Sequence, residues 1–188
     1  MQVQFKHVSR YYRLPAQLKD ITIGEFVVVQ SFVDKSQEDL GIITLMYGLE
    51  DFEMHRATEM QYEDPDEYKV GRVLRTASPD ELKFLPMKFQ REYPLFRICQ
   101  TFAMRHSMPI VVKGAEYQFD GNVLFIYYES TERVDYRSLM KFLVKMYCPG
   151  SRVQMKNAFH CREFKPLEWA KEALISGKHP DTNSIILR

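Results

Sequence analysis

Asp120-Gly121 sits between two apolar, aromatic and β-branched runs, Pro109 to Phe119 and Asn122 to Glu129, and this pattern constrains the fold more than any other in the chain. An Asp-Gly loop favours a turn whose twist matches that of paired strands, so the two runs are predicted to form an antiparallel hairpin of fixed register. Upstream, Ser78-Pro79-Asp80-Glu81 supplies an N-cap, a proline at the first helical position and a glutamate placed for a capping box. Leu95, Ile98, Cys99 and Phe102 extend an amphipathic pattern to about His106, while Pro86 and Pro94 predict two helical pieces instead of one.

Beyond the hairpin, Asp135 reads as the N-cap of a helix that buries Leu139, Phe142, Leu143 and Met146 and stops at Pro149-Gly150. A strand from Arg152 to Phe159 follows. Pro166 then opens a last helix with Leu167, Ala170 and Leu174 on one face and Gly177 after its final turn. Before Ser78 the chain reads as short strands: Val3 and Phe5 alternating with polar residues, Tyr11 to Leu14 stopped by Pro15, a hairpin of Phe26 to Val33 with Gly41 to Tyr47, and a return over Val70 to Arg75. The expected class is α+β. A small antiparallel β-barrel-like part (1–76) carries an acidic insertion (50–67), and an α-β-β-α-β, ferredoxin-like sandwich with helices on one face of an antiparallel sheet and a C-terminal helix follows (77–188).

With 45% hydrophobic and 27% charged residues and only 8 Gly and 9 Pro in 188, a disordered or low-complexity chain is excluded. Three cysteines, Cys99, Cys148 and Cys161, lack paired spacing, which points to a reducing compartment and a cytoplasmic protein. Apolar runs such as Val123 to Tyr128 are strand-length, so no membrane segment is expected. The net charge of +1 conceals an asymmetry, because the 50–67 stretch holds eight acidic residues against Arg56 alone. The positive surplus falls on the second half.

Glu116-Tyr117-Gln118-Phe119-Asp120-Gly121, then Leu124-Phe125-Ile126-Tyr127-Tyr128 and Arg133-Val134-Asp135-Tyr136-Arg137-Ser138-Leu139, resembles the PSP-type (polymerase-suppressor protein) C-terminal conserved region. That family includes bacterial YaaT/RicT proteins and kinetoplastid cycling-sequence-binding proteins. The resemblance extends over most of residues 1–160, through Phe96 to Cys99 and Arg105-His106 and back to Gly24-Glu25-Phe26-Val27-Val28-Val29. It implies a role in mRNA turnover or processing, as an RNA binder or as an adaptor for a ribonuclease. Bacterial members resemble one another in a cysteine-rich tail tied to iron-sulfur chemistry, and the corresponding stretch here supplies Cys161 alone. No cofactor is expected.

Phosphate binding calls for a linear array of cations, since each neutralised phosphate releases counterions. Arg137, Lys141 and Lys145 recur at i, i+4 and i+8 on a face distinct from the apolar one, and Arg152, Gln154 and Lys156 alternate along the following strand. Arg133 precedes that helix, Arg97, Thr101 and Arg105 form a second helical line, and Tyr11 and Arg13 mix ring and charge near the N-terminus. These residues are the candidate contacts for single-stranded RNA, chiefly mRNA. Tyr117 and Phe119 are expected not to serve together as exposed stacking platforms, because their shared face should be core. Trp169 is a candidate anchor for a protein partner such as an mRNA-decay or translation factor. A protein-interaction adaptor is therefore the alternative function. A metal-dependent RNA endonuclease resting on Asp120, Asp135 or Asp64 to Glu67 is a third reading, but no CxxC, His-Glu-x-x-His, P-loop or dinucleotide fingerprint is present, and Cys148, His160 and Cys161 match no usual zinc spacing.

Overall fold

Residues 1–18, 20–48, 51, 70–159, 164 and 167–180 are described by a computed structural model. Strands β1 (Gln2–Gln4), β2 (Ser9–Arg13), β3 (Phe26–Gln30), β4 (Glu38–Leu45) and β5 (Gly71–Thr76) form a closed ring in the order β1, β2, β5, β3, β4. The expected β3–β4 hairpin is present, from Phe26 opposite Ile42 to Gln30 opposite Glu38. The ring is not wholly antiparallel, because β5 pairs antiparallel with β3 but parallel with β2. β3 explains its own uninterrupted apolar sequence: Val27 and Val29 point into one core while Phe26 and Val28 point into another. The acidic stretch 50–67 lies, Asp51 apart, outside the described residues.

Ser78 caps α1 (Pro79–Arg105) with the expected capping box: its side chain accepts from the Glu81 N–H, and Glu81 reaches back to the Ser78 N–H. The helix is one 27-residue element with Pro86 and Pro94 inside it, not two pieces. A proline costs a helix one hydrogen bond and some strain. Here both ends of the helix are anchored by packing: Leu85 is buried in one core and Leu95, Cys99 and Ala103 in another, so the interruption is tolerated.

β6 (Val111–Tyr117) and β7 (Val123–Glu129) form the predicted hairpin around Asp120-Gly121, with Gly121 at φ +76°. α2 (Arg137–Met146) then carries the chain across to β8 (Arg152–Asn157), which pairs with β7 in parallel. The sheet order is β6, β7, β8, and the all-antiparallel sheet expected of this part is corrected. The reason is the crossover: a helix between two neighbouring strands returns the chain in the same direction. α3 (Glu168–Ser176) ends at Gly177, as expected, in the left-handed conformation. Its Ala170 and Leu174 are buried, whereas Leu167 stands exposed just before the helix. Pro166 lies outside the described residues.

One face of the three-stranded sheet, with Ala115, Tyr117, Leu124, Ile126 and Val153, packs under α1 and α2. The opposite face, with Val123, Phe125 and Tyr127, packs on Val3, Phe5, Val8 and Tyr12 of the ring region. A third core joins Phe26, Val28, Leu40 and Ile42 to Leu85, Ala170, Ala173 and Leu174. Two of the three cores thus draw on residues from both sides of position 76. Among the described residues no helix is long and apolar enough to cross a membrane.

Candidate nucleic-acid interface

α2 is amphipathic in the sense required. Leu139 and Leu143 are fully buried, and Arg137, Lys141 and Lys145 all stand exposed on the other side. Met146, expected on the buried face, is exposed at the last turn. The helix begins at Arg137 with Tyr136 as its N-cap, one residue later than expected, and Tyr136 makes no capping bond. Asp135 instead accepts the Arg137 backbone N–H at 3.1 Å while its two oxygens take the Arg137 Nε at 2.9 and 3.0 Å. Hydrogen bonds from the Arg137 side chain and backbone hold the Asp135 carboxyl at about 2. Lys141 and Lys145 have no carboxylate partner among the described residues.

The cations of β8 do not join this row. Arg152 lies opposite Val123, Gln154 opposite Phe125 and Lys156 opposite Tyr127. Side chains opposite one another in a sheet share a face, so these three face the ring side, away from α2. Val153 and Met155 point toward the helices instead. Arg152 is exposed and Lys156 half-buried. Arg133 is exposed in the segment leading into α2 and lines a depression there with Asp135 and Arg137.

Arg97 and Arg105 are exposed on α1, and Arg97 donates to Gln100 Oε1 at 3.4 Å. Near the N-terminus, Tyr12 is buried and Tyr11 half-buried with its ring 6.0 Å from that of Tyr47. Arg13 is exposed and shares a separate cleft with Lys35 and Arg72. Tyr117 is buried under the Arg91 guanidinium and Phe119 is half-buried against the third core. The sheet therefore offers no open stacking surface at these two rings. Trp169 is half-buried against the same third core.

The sequence reading missed a buried polar cluster where the ring, α1 and β6 meet. Lys6 Nζ bonds Glu92 at 2.5 Å and the Ala115 carbonyl at 2.7 Å, and its backbone N–H donates to Glu116 at 2.8 Å. Lys88 approaches Glu92 at 2.9 Å and Glu116 at 3.8 Å, and Glu92 also accepts the Tyr117 N–H at 2.6 Å. Burial pulls the Lys6 ammonium down; burial acts likewise on Lys88, but Glu92, Glu116 and Asp39 outweigh it and hold that group up. Asp39 accepts the N–H groups of Phe119 and Leu40, and burial pushes its carboxyl up to about 7 against the pull of Lys88. His7 lies between the Tyr127 and Phe164 rings with its Nε2 buried and without a hydrogen-bond partner among the described residues, and burial followed by Lys6 drives it down to about 3.

Among the described residues no group of three His, Cys, Asp or Glu side chains is placed to hold a metal ion. Cys148 is buried and bonds the Leu143 carbonyl; His160, Cys161 and Asp64 to Glu67 lie outside the described residues. Asp120 is occupied within its own turn by Gln118 and Asn122. The signal that sequence reasoning overlooked is the spacing of acids. No Asp or Glu occurs between Glu92 and Glu116, nor between Asp135 and Glu163, and these two windows contain the second half of α1 and all of α2 and β8. The helical layer over the sheet is thereby cationic with little to neutralise it.

Over 76 residues the chain is 37% identical to an uncharacterized protein of Schizosaccharomyces pombe, covering 40% of this chain and 10% of that protein. Over 87 residues it is 26% identical to the stage 0 sporulation protein YaaT of Bacillus subtilis, covering 46% of this chain and 31% of YaaT. The chain thus spans well under two thirds of either relative. No solved structure matches it. Residues 71–157, from the start of β5 to the end of β8, match the PSP1 C-terminal conserved region. By that segment, which holds α1, the three-stranded sheet and the cationic α2, the chain carries a PSP1 C-terminal conserved region.

Proposed function

We propose that the protein is an RNA-binding module of a cytoplasmic post-transcriptional regulator acting in mRNA stability or processing, and that the outer face of α2 contacts RNA phosphates. The observation that supports this reading is the pairing of fully buried Leu139 and Leu143 with exposed Arg137, Lys141 and Lys145 on a helix with no acidic residue. Such a row neutralises successive phosphates and gains from the counterions they release. Similarity to a sporulation protein supports a regulatory setting.

Fluorescence anisotropy with labelled single-stranded RNA across a salt series tests the reading. Affinity should fall steeply with salt. Replacing Lys141 and Lys145 by alanine should weaken binding to all sequences alike and lower the log–log salt slope by about 1.4, two single-strand phosphate contacts. An unchanged affinity in the folded double variant overturns the α2 assignment.

A second reading, an adaptor for mRNA-decay or translation factors, is favoured by Phe84 and Met87, which lie one turn apart on α1 and are 58% and 56% exposed. Paired apolar side chains at that spacing are a small anchor for a partner helix. Capture from cell extract with and without ribonuclease separates the two readings: partners that survive the nuclease favour the adaptor, and their loss favours RNA.

A further inference from the structure

Four aromatic rings run in a row across the seam between α1 and α2. The His106 ring lies 4.1 Å from Phe102 with planes 30° apart, Phe102 lies 5.0 Å from Phe142, and Phe142 meets Tyr147 edge-on at 5.5 Å. The two inner rings are half-buried and tie the helices together. The two outer rings are not enclosed: His106 is exposed where α1 ends, and Tyr147, directly after α2, is 43% exposed. A row whose only task was to join two helices would gain nothing from rings held in solvent at its ends.

Each helix also places a cation beside its own inner ring. Arg105 follows Phe102 by three residues and Lys145 follows Phe142 by three, a spacing that puts neighbours on one helix face, and both cations are exposed. Neither Arg105 nor Lys145 has a carboxylate partner among the described residues, and both fall in the acid-free windows. Flat, partly open aromatic surfaces edged by uncompensated positive charge match a polymer that alternates flat bases with phosphates. An apolar peptide would leave the cations unused, and an acidic peptide would leave the rings unused.

We propose that His106 and Tyr147 are stacking sites for bases of single-stranded RNA whose backbone passes Arg105 and Lys145. This rests on the RNA-binding reading above and adds to it the base-contacting surface, which lies on the helix seam instead of the sheet.

Three proteins are compared by anisotropy: the wild type, a His106→Ala/Tyr147→Ala variant and a His106→Phe/Tyr147→Phe variant. Each is titrated with a single-stranded RNA and with an abasic strand of equal length and charge. The alanine variant should lose about tenfold or more in RNA affinity per ring, keep its affinity for the abasic strand and keep its salt slope. The phenylalanine variant should bind RNA as the wild type does, since it retains both rings. Circular dichroism shows whether each variant is folded; because both side chains lie at the open ends of the row, Phe102 and Phe142 stay packed. An alanine variant that binds RNA like a binding-competent wild type overturns the stacking sites alone. Equal losses on RNA and on the abasic strand overturn them too, by showing that the rings do not read bases. A wild type that binds neither strand overturns the RNA reading and this inference together.

Discussion

The carbonyl oxygen of Leu82 occupies the space where a side chain on Gly177 would begin, so the end of α3 rests directly on the backbone of α1. Leu82 is four residues before Pro86, and its carbonyl is the one that the proline nitrogen cannot bond. The bond lost inside α1 thereby leaves the oxygen that Gly177 sits against, with Pro86 Cδ 3.6 Å from the same point. Gly177→Ala places a Cβ against Leu82 and also strains a residue at φ +67°. The expected cost is about 3 kcal/mol, from a left-handed alanine and overpacking together. A urea midpoint equal to that of the wild type would rule out this close approach.

Asp135→Ala should strengthen RNA binding. The carboxylate now holds the Arg137 guanidinium through both oxygens, and removing it leaves a third uncompensated cation on α2. The salt slope should steepen by about 0.7, one single-strand phosphate. Stability should change little, because both partners are exposed. Weaker binding would contradict the placement of phosphates along this row.

Asp39 should make the protein lose stability as pH rises. Its folded-state carboxyl titrates at about 7, above the ordinary value of 3.8, so between these limits the folded chain binds a proton that the unfolded chain has released. The contribution is complete below 3.8 and gone once pH has passed about 7. Asp39→Asn keeps an oxygen for the Phe119 and Leu40 N–H groups without titrating. Urea midpoints at several pH values should therefore converge on or pass the wild type in favour of the variant as pH climbs from 4 to 8. Parallel curves would exclude the effect.

His7 acts with the opposite sign. Its ring is held down to about 3 from 6.5, so its contribution is present above 6.5 and drains away as pH falls toward 3. His7→Phe should flatten the acid side of the stability curve while preserving the ring against Tyr127 and Phe164. Gly114 abuts this ring so closely that a Cβ would overlap it. Gly114→Ala should cost about 1–3 kcal/mol by overpacking.

Glu92→Ala should be among the most damaging changes in the chain. It removes the carboxylate from both Lys6 and Lys88 and the acceptor from the Tyr117 N–H. Breaking a buried pair in this way costs about 3–5 kcal/mol. Lys6→Met combined with Glu92→Leu should be milder than Glu92→Ala, since no ammonium at position 6 is then stranded. Thermal unfolding of the three proteins checks the order.

Local signals carried over to the structure where the physics was local. Ser78 and Glu81 close their capping box, Asp120-Gly121 turns its hairpin and Gly177 ends its helix, because each depends on neighbours within a few residues. Pro86 and Pro94 misled because the packing that keeps α1 whole comes from Leu85 and Cys99 meeting residues far along the chain. The direction of β8 was equally hidden: alternation shows that Arg152, Gln154 and Lys156 share a side, but not which side. Only the register against Val123, Phe125 and Tyr127 shows that side to be the one facing away from α2. The meeting of Lys6, Glu92 and Glu116 was hidden as well, since nothing in the sequence brings positions 6, 92 and 116 together.

That same separation sets a timetable for folding. The Lys6 N–H finds its acceptor on Glu116, 110 positions later, and its ammonium finds Glu92, 86 positions later. During synthesis the N-terminal strands emerge long before either carboxylate exists, so Lys6 and His7 must wait in water while their future neighbours are still being made. Contacts closed over such distances are slow because the entropy of the intervening chain is lost before the contact forms. The antiparallel β1–β2 pair is thus made well before the carboxylates it needs and is among the last segments to be locked.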